Sequence, residues 1–398
     1  MNDFKKLVHL GAGISLGLAL FALACSPAAV PTAVPTKAPA ATTAPAPTAA
    51  AAAATTAPAP TAAAKPSPAA QASPAAATPP PAKPGTVRFG SPGSTSDAGL
   101  YIAMEKGYFK DAGLDVQLLP FQSGPMMVAP LASGDLEVGG GTISTGLLNA
   151  IDRGVALKVV ATKGSSFKGY EFSRVTVRKD LIDSGQVKEV KDLKGKNFGV
   201  AAAAGGGEAI ISYFLKQGGL TTSDVNLIIM GLPDMIAAYS NKAIDAAQQI
   251  EPTLNTGVEQ GLTVRWPLGA VSTFYGGEYQ AGELVFSEQF IKNTDAARRF
   301  MVAYLKGLRV YNDAFSKNIG KSDVIAILTK YVPGTTPALI DKMEMPYLNP
   351  DGKMHLPSMQ MDLDYFKQKG YYTGKTDVQT IVDNQFLDYA VQQLGVYK

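Results

Sequence analysis

The chain of 398 residues has one cysteine, Cys25, one tryptophan and two histidines, His9 and His355. A lone cysteine excludes an internal disulfide and a thiolate metal centre. Two histidines, one of them near the N-terminus, leave no histidine cluster for zinc. His355 follows Asp351-Gly352-Lys353 in what reads as a surface loop, and no phosphate-binding P-loop occurs. No catalytic residue, metal or cofactor is therefore expected. A strong charge bias is missing too. The formal net charge is +3, but the first 85 residues carry five lysines against one aspartate, which leaves the rest one unit negative. No basic domain exists to hold nucleic acid.

What is present begins with a leader. Lys5 and Lys6 precede an apolar run from Leu7 to Ala24, which reads as a secretory signal over residues 1–25. Ala22-Leu23-Ala24-Cys25 resembles the lipobox of bacterial lipoproteins, with the large aliphatic and the first small residue in swapped order. The resemblance implies lipid attachment at Cys25 and cleavage before it. An uncleaved apolar anchor is the alternative, and either one exports and tethers the protein. Residues 26–85 are nearly all Ala, Pro and Thr and hold over half of the chain's 27 prolines. Such a segment buries too little apolar surface to offset its ordering entropy, so a disordered linker is expected. Fully extended as polyproline, it would reach about 190 Å.

Residues 86–398 have globular composition and exceed the size at which one core keeps growing, so two lobes are expected. Strand patterns at 86–90, 114–119, 136–139 and 157–161 alternate with helical patterns at 97–109, 126–133 and 142–153. The pattern restarts with strands at 197–201, 225–230 and 243–250 around helices at 208–217 and 233–240, and further helices fall at 296–316, 322–331 and 378–394. Alternation of this kind predicts α/β lobes, each a parallel sheet with helices on both faces. Extended segments at 173–178 and 283–287 read as two crossings between lobes. Lobe 1 is then 86–172 with 285–398, and lobe 2 is 173–284. In open α/β sheets ligands sit beyond the strand carboxyl ends, which here places the site in the cleft between the lobes.

Several stretches resemble the nitrate/sulfonate/taurine/thiamine-precursor group of periplasmic binding proteins. Ile102-Ala103-Met104-Glu105-Lys106-Gly107-Tyr108-Phe109-Lys110-Asp111-Ala112-Gly113-Leu114-Asp115-Val116 is similar to that group's opening helix and second strand. Pro130 to Gly139 is similar to its step into the third strand, and Asp192 to Lys196, Lys216 to Leu220 and Asp224-Val225 to its second lobe. The resemblance covers residues 86–398. It implies a type II periplasmic-binding-protein fold of two doubly wound lobes joined by a two-strand hinge. It also implies the role of solute-binding component of an ABC importer, a monomer whose partners are a small-molecule ligand, the permease and ATPase complex, and the membrane through its lipid anchor. One departure concerns the second-lobe loop, which in this group often carries a hydroxyl residue after glycine. Ala202 to Gly207 has none, which points away from a simple oxyanion.

Candidate ligand residues lie at the strand–helix junctions. Thr95 and Ser96 precede a helix and either face the cleft or cap that helix. Tyr101, one turn in, either stacks on a ligand ring or packs in the core. Thr142 and Ser144 follow the run Gly139-Gly140-Gly141, where close backbone approach to a ligand would explain the glycines. Gly205 and Gly206 occupy the matching loop of lobe 2, followed by Glu208 at a helix N-terminus. Glu251, before Pro252, matches a Glu-Pro step of the resembling group. Tyr275 reads as an aromatic wall, and Glu171, Glu278 and Asp234 are further acidic candidates. Acidic and aromatic candidates without a cationic clamp lean toward a neutral or cationic heterocycle. Two alternatives to the transport role share the fold: a ligand-sensing subunit for a signalling receptor, and a pyrimidine-forming synthase using a lysine Schiff base. The cysteine-rich motif of that enzyme branch is missing here.

Overall fold

A computed structural model describes residues 85–398, so the leader, Cys25 and the linker expected before Gly85 lie outside the described residues. Ten strands are present among these residues: β1 (Thr86–Ser91), β2 (Asp115–Pro120), β3 (Val138–Gly141), β4 (Lys158–Ser166), β5 (Ser173–Arg178), β6 (Asn197–Val200), β7 (Asn226–Ile229), β8 (Ala246–Ile250), β9 (Thr263–Val264) and β10 (Tyr279–Phe286). They form two five-stranded sheets, ordered β2-β1-β3-β10-β4 and β7-β6-β8-β5-β9. Most expected strands are found within a few residues of their places, but β4 continues five residues beyond its expected end and β9 was not expected.

The expectation of purely parallel sheets is corrected. β10 runs antiparallel to both β3 and β4, and β5 runs antiparallel to both β8 and β9. The two sheets match position for position, with an antiparallel strand fourth in each. The reason lies in the crossings. A parallel neighbour needs a crossover that returns the chain to the same end of its sheet. β5 and β10 arrive directly from the opposite lobe, so each enters from the cleft side and points the other way. The return crossing ends earlier than expected, because β10 already pairs with β4 at Tyr279 and residue 285 falls inside the strand. β10 and β4 lose register between Gln280 and Val285. The Gln280 side-chain amide spans this irregular stretch by donating to Thr162 Oγ1 at 2.8 Å and to the Gly282 carbonyl at 2.6 Å.

Two expected helices are broken. The segment 97–109 consists of a short 3₁₀ turn, Thr95–Asp97, then Ala98–Glu105 and Tyr108–Asp111. Gly107, at φ 75°, is in the left-handed region and ends the first helix. The segment 378–394 divides into Val378–Ile381 and Gln385–Leu394. A helix the sequence reading left out, Leu356–Gln368, packs between the lobes near the return crossing.

The first lobe's core joins Phe89, Leu100, Leu284, Phe286, Phe300, Leu305 and Leu308 around the long helix Thr294–Lys317. That helix meets Ala98–Glu105 so closely that a Cβ on Gly307 would fall inside the Gly99 carbonyl oxygen. The second lobe buries Val175, Val177, Phe198, Ile211, Phe214 and Leu215 about its sheet. β1, β5, β6 and β8 are buried along nearly their whole length rather than on alternate residues, as central strands covered on both faces are.

Candidate functional site

β1, β3, β6 and β8 all end at the space between the sheets, and each feeds a helix through a short loop. These junctions bring Ser96 and Gly140 to Thr142 from the first lobe against Ala201, Ala202 and Gly205 to Gly207 from the second. The loops touch directly. Ser144 bridges to Gly205, and the Ala204 carbonyl accepts from Thr145 N at 3.2 Å and Thr145 Oγ1 at 3.3 Å. Tyr279 Oη, at the start of β10, donates to Asp362 at 2.7 Å and lies 3.4 Å from the Gly206 carbonyl. The lobes therefore meet around an internal cavity of about 90 Å³. That is room for a compact chemical group or several waters. A wider space of about 500 Å³ adjoins it, shares Pro92, Leu232 and Ile250 with it, and is lined by Phe121, Ile236, Pro252 and Pro333 as well. We call this space the mouth.

Packing crowds all three glycines of β3 and demands one at Gly141, where a Cβ would meet main chain. A Cβ on Gly139 would lie 2.8 Å from Leu131 Cδ1, one on Gly140 2.8 Å from Lys163 Cδ, and one on Gly141 2.7 Å from Gly124 Cα. Part of the cavity wall is thus bare main chain.

The structure brings some of the expected residues together and leaves others apart. Ser96, Thr142, Gly205 and Gly206 line the cavity. Thr95 is buried behind it. Tyr101 is a core residue, stacked on Tyr331 at 5.1 Å and bonded to Ser91 Oγ at 3.2 Å; burial raises its hydroxyl pKa. Ser144 caps the Thr145–Asp152 helix by accepting from Leu147 N. Glu208 does not line the cavity. Its carboxylate accepts from Tyr365 Oη and Tyr371 Oη, both at 2.8 Å, and from Ala204 N at 2.8 Å. Tyr275 lies in the same seam, donating to the Ser358 carbonyl. Glu251 borders the mouth and is fully buried, paired with Arg265 at 2.7 Å and accepting from Asn255 N. Burial pushes its carboxyl up to about 7 against the opposing pull of Arg265. Glu171 accepts from Ser272 N, Asp234 is exposed, and Glu278 is half-buried.

The polar cavity residues that escaped the sequence reading include Lys163, Ser173, Gln248 and Tyr279. Lys163 is 2 % exposed, with Nζ 2.7 Å from Ser96 Oγ and 3.0 Å from Asp97 Oδ1. Its signal was a lysine inside the apolar run Val159-Val160-Ala161-Thr162-Lys163. Gln248 donates to Ser173 Oγ at 3.0 Å, and Gln248-Gln249 likewise interrupts a buried strand. Behind the cavity, Glu283 Oε2 accepts from Ile143 N at 3.1 Å. Glu283 and Asp362 are both held well above the usual carboxylate range, chiefly by burial, and Asp362 adds to the rise at Glu283.

His355, the one histidine among the described residues, lies beside Ser358 at 3.1 Å. Ser358 is fully buried, accepts from Gln280 N and donates to the His355 carbonyl, so its hydroxyl is committed to the fold. Among the described residues no group of three or more His, Cys, Asp or Glu is placed to hold a metal ion, and no helix is long and apolar enough to cross a membrane.

A family model described as NMT1/THI5 like matches residues 94–313, more than half of the chain. A binding protein of Brucella abortus is 29% identical over 206 residues, covering 52% of this chain. The match spans only 60% of that relative's length. An aliphatic sulfonates-binding protein of Bacillus subtilis is 25% identical over 304 residues, covering 74% of this chain and 85% of that protein. Among solved structures, the periplasmic nitrate-binding protein of Synechocystis superposes with a TM-score of 0.65 at 18% identity, covering 79% of this chain and 90% of that one. That likeness is one of fold.

Proposed function

The chain belongs to the NMT1/THI5-like family, and from that premise we propose that it is an exported solute-binding protein. It captures a small molecule between its lobes and delivers it to the permease and ATPase of an ABC importer, and it performs no chemistry of its own. The observation that carries this reading is the cavity, walled by strand-to-helix loops from both sheets and reached through a wider mouth. A site divided between two lobes binds more tightly when they close, and differential affinity for the closed form is what lets a ligand shift the population. The names of the Bacillus and Synechocystis relatives, which specify sulfonates and nitrate, support the same class of role. The ligand-contacting set is Ser96, Thr142, Lys163, Ser173, Gly206, Gln248 and Tyr279. Of the residues the sequence singled out, Glu208 and Glu251 act by holding the surrounding structure. The segment before residue 86 serves as signal, lipid attachment at Cys25 and tether, which keeps the lobes at the outer face of the membrane.

The test is a thermal-shift screen of the full chain against sulfonates, nitrate, aromatic acids, amides, amines and thiamine precursors, with mass spectrometry of any copurifying small molecule. A bound ligand raises the melting midpoint by mass action. The expected result is a saturable shift with one class, abolished in Gln248→Ala. No shift with any class, and no copurifying molecule, overturns the reading.

A further inference from the structure

Three helices point their N-termini at the cavity: Ala98–Glu105, Thr145–Asp152 and Gly206–Lys216. Helix N-termini attract anions because their first N–H groups are unpaired and their dipoles point the same way. Here a carboxyl group of the protein itself stands beside each one and takes an N–H of the loop leading in, though not one of the helix's own first N–H groups. Asp97 is the N-cap of the first and accepts from Ser91 Oγ at 2.9 Å. Glu283 takes the Ile143 N–H that leads into the second. Glu208 sits in the first turn of the third and takes the Ala204 N–H.

The one basic side chain on the cavity is matched as well. Lys163 is paired with Asp97 and bonded to Ser96, leaving a single ammonium N–H for a ligand. An incoming anion would have to compete with Asp97 for that charge while giving up its own hydration between the lobes, and an unpaired buried charge is strongly disfavoured. The other polar groups are neutral and offer both hydrogen-bonding senses. Gln248 donates through its amide nitrogen to Ser173, and its carbonyl oxygen reaches toward Gly207, where a Cβ would lie 2.8 Å from it. The mouth beyond is mostly apolar, built from Phe121, Leu232, Ile236, Ile250 and proline rings, with Gln122, Glu251 and two threonines also at its edge.

We propose that the ligand enters with an uncharged, compact group that both donates and accepts hydrogen bonds, as a primary amide or lactam does, and extends an apolar remainder into the mouth. This deepens the solute-binding reading and rests on it. It separates this chain from relatives whose names specify sulfonates or nitrate.

The test uses matched pairs of probes on the full chain at pH 7.5, by calorimetry: hexanamide against hexanoate, and hexanesulfonamide against hexanesulfonate, with nitrate alongside. At least tenfold tighter binding of the uncharged member of each pair is expected. Tighter binding of hexanesulfonate, hexanoate or nitrate overturns the inference and leaves the solute-binding reading standing. Binding of no probe, together with no copurifying molecule, overturns both. A second arm uses Asp97→Asn, which frees the Lys163 charge and is expected to move the sulfonate-to-sulfonamide affinity ratio at least tenfold toward the sulfonate. Should that variant not fold, Lys163→Met moves the balance the other way, and hexylammonium should gain on hexanamide. An unchanged ratio in the folded variant also overturns the inference.

Discussion

Arg265 Nη2 donates to Glu251 Oε1 at 2.7 Å, closing an ion pair around a carboxylate with no exposure to solvent. Glu344 N also approaches Glu251 Oε1, and the Glu344 carboxylate in turn holds Arg174 at 2.8 Å. The pair therefore lies where the first lobe's C-terminal segment rests on the second lobe. Because burial raises Glu251 to about 7, the folded protein keeps a proton there that the unfolded chain releases near the usual carboxylate range. The sign follows from linkage: this contribution is fully present at acid pH and is lost as pH rises to about 7. Glu283 and Asp362, both raised as well, add in the same direction. Chemical denaturation is expected to show lower stability at pH 8 than at pH 5.5. Glu251→Gln should shrink that difference by up to about 2 kcal/mol, and an unchanged difference would remove Glu251 from the account.

Glu208 ties the loop Ala202 to Gly207 to the first lobe through Tyr365 and Tyr371. Glu208→Ala leaves two tyrosine hydroxyls and the Ala204 N–H without their acceptor, a loss of about 2–4 kcal/mol. Glu208→Gln, which keeps an acceptor oxygen, should cost less than half of that. Equal losses in urea denaturation would mean that charge rather than hydrogen bonding holds the loop.

Gly307→Ala places a methyl group inside the Gly99 carbonyl, main chain against main chain, so the two helices must separate. A loss of roughly 3 kcal/mol or failure to accumulate is expected. Gly277→Ala meets nothing within 4 Å and should stay within about 0.5 kcal/mol of the parent. The thermal midpoints of the two variants check both statements.

Cys25→Ser removes the proposed lipid attachment point. The variant is expected in the soluble extracytoplasmic fraction while the parent sediments with membranes. Retention of the variant on membranes would favour an uncleaved apolar anchor instead.

Much of the fold was legible because it rests on short-range periodicity. Strand β2 announces itself by alternation, β1, β6 and β7 by short runs bounded by turn residues, and the long helix near residue 300 by its apolar stripe. The direction of β10 and β5 was not legible, since strand polarity depends on which lobe the chain arrives from. The break at Gly107 was missed because apolar spacing continues across it through Tyr108. The Leu356–Gln368 helix was hidden by Pro357 at its first turn, where a proline is tolerated. At the site, the glycine loops could be found from sequence. Their partners Lys163 and Gln248 left only the weaker signal of a polar residue inside an apolar strand, whose purpose appears once Asp97 and Ser173 are set against it.

The contact between Gly124 and Gly141 has a bearing on how such a receptor can change its cargo. A wall of side chains is retuned by single substitutions, whereas a wall of main chain acts as a fixed gauge that no viable substitution widens. Divergence of preference among descendants of this chain is thereby channelled elsewhere: to the few side chains that face the bound group, and to the mouth, whose wall is formed by side chains such as Leu232, Ile236 and Ile250.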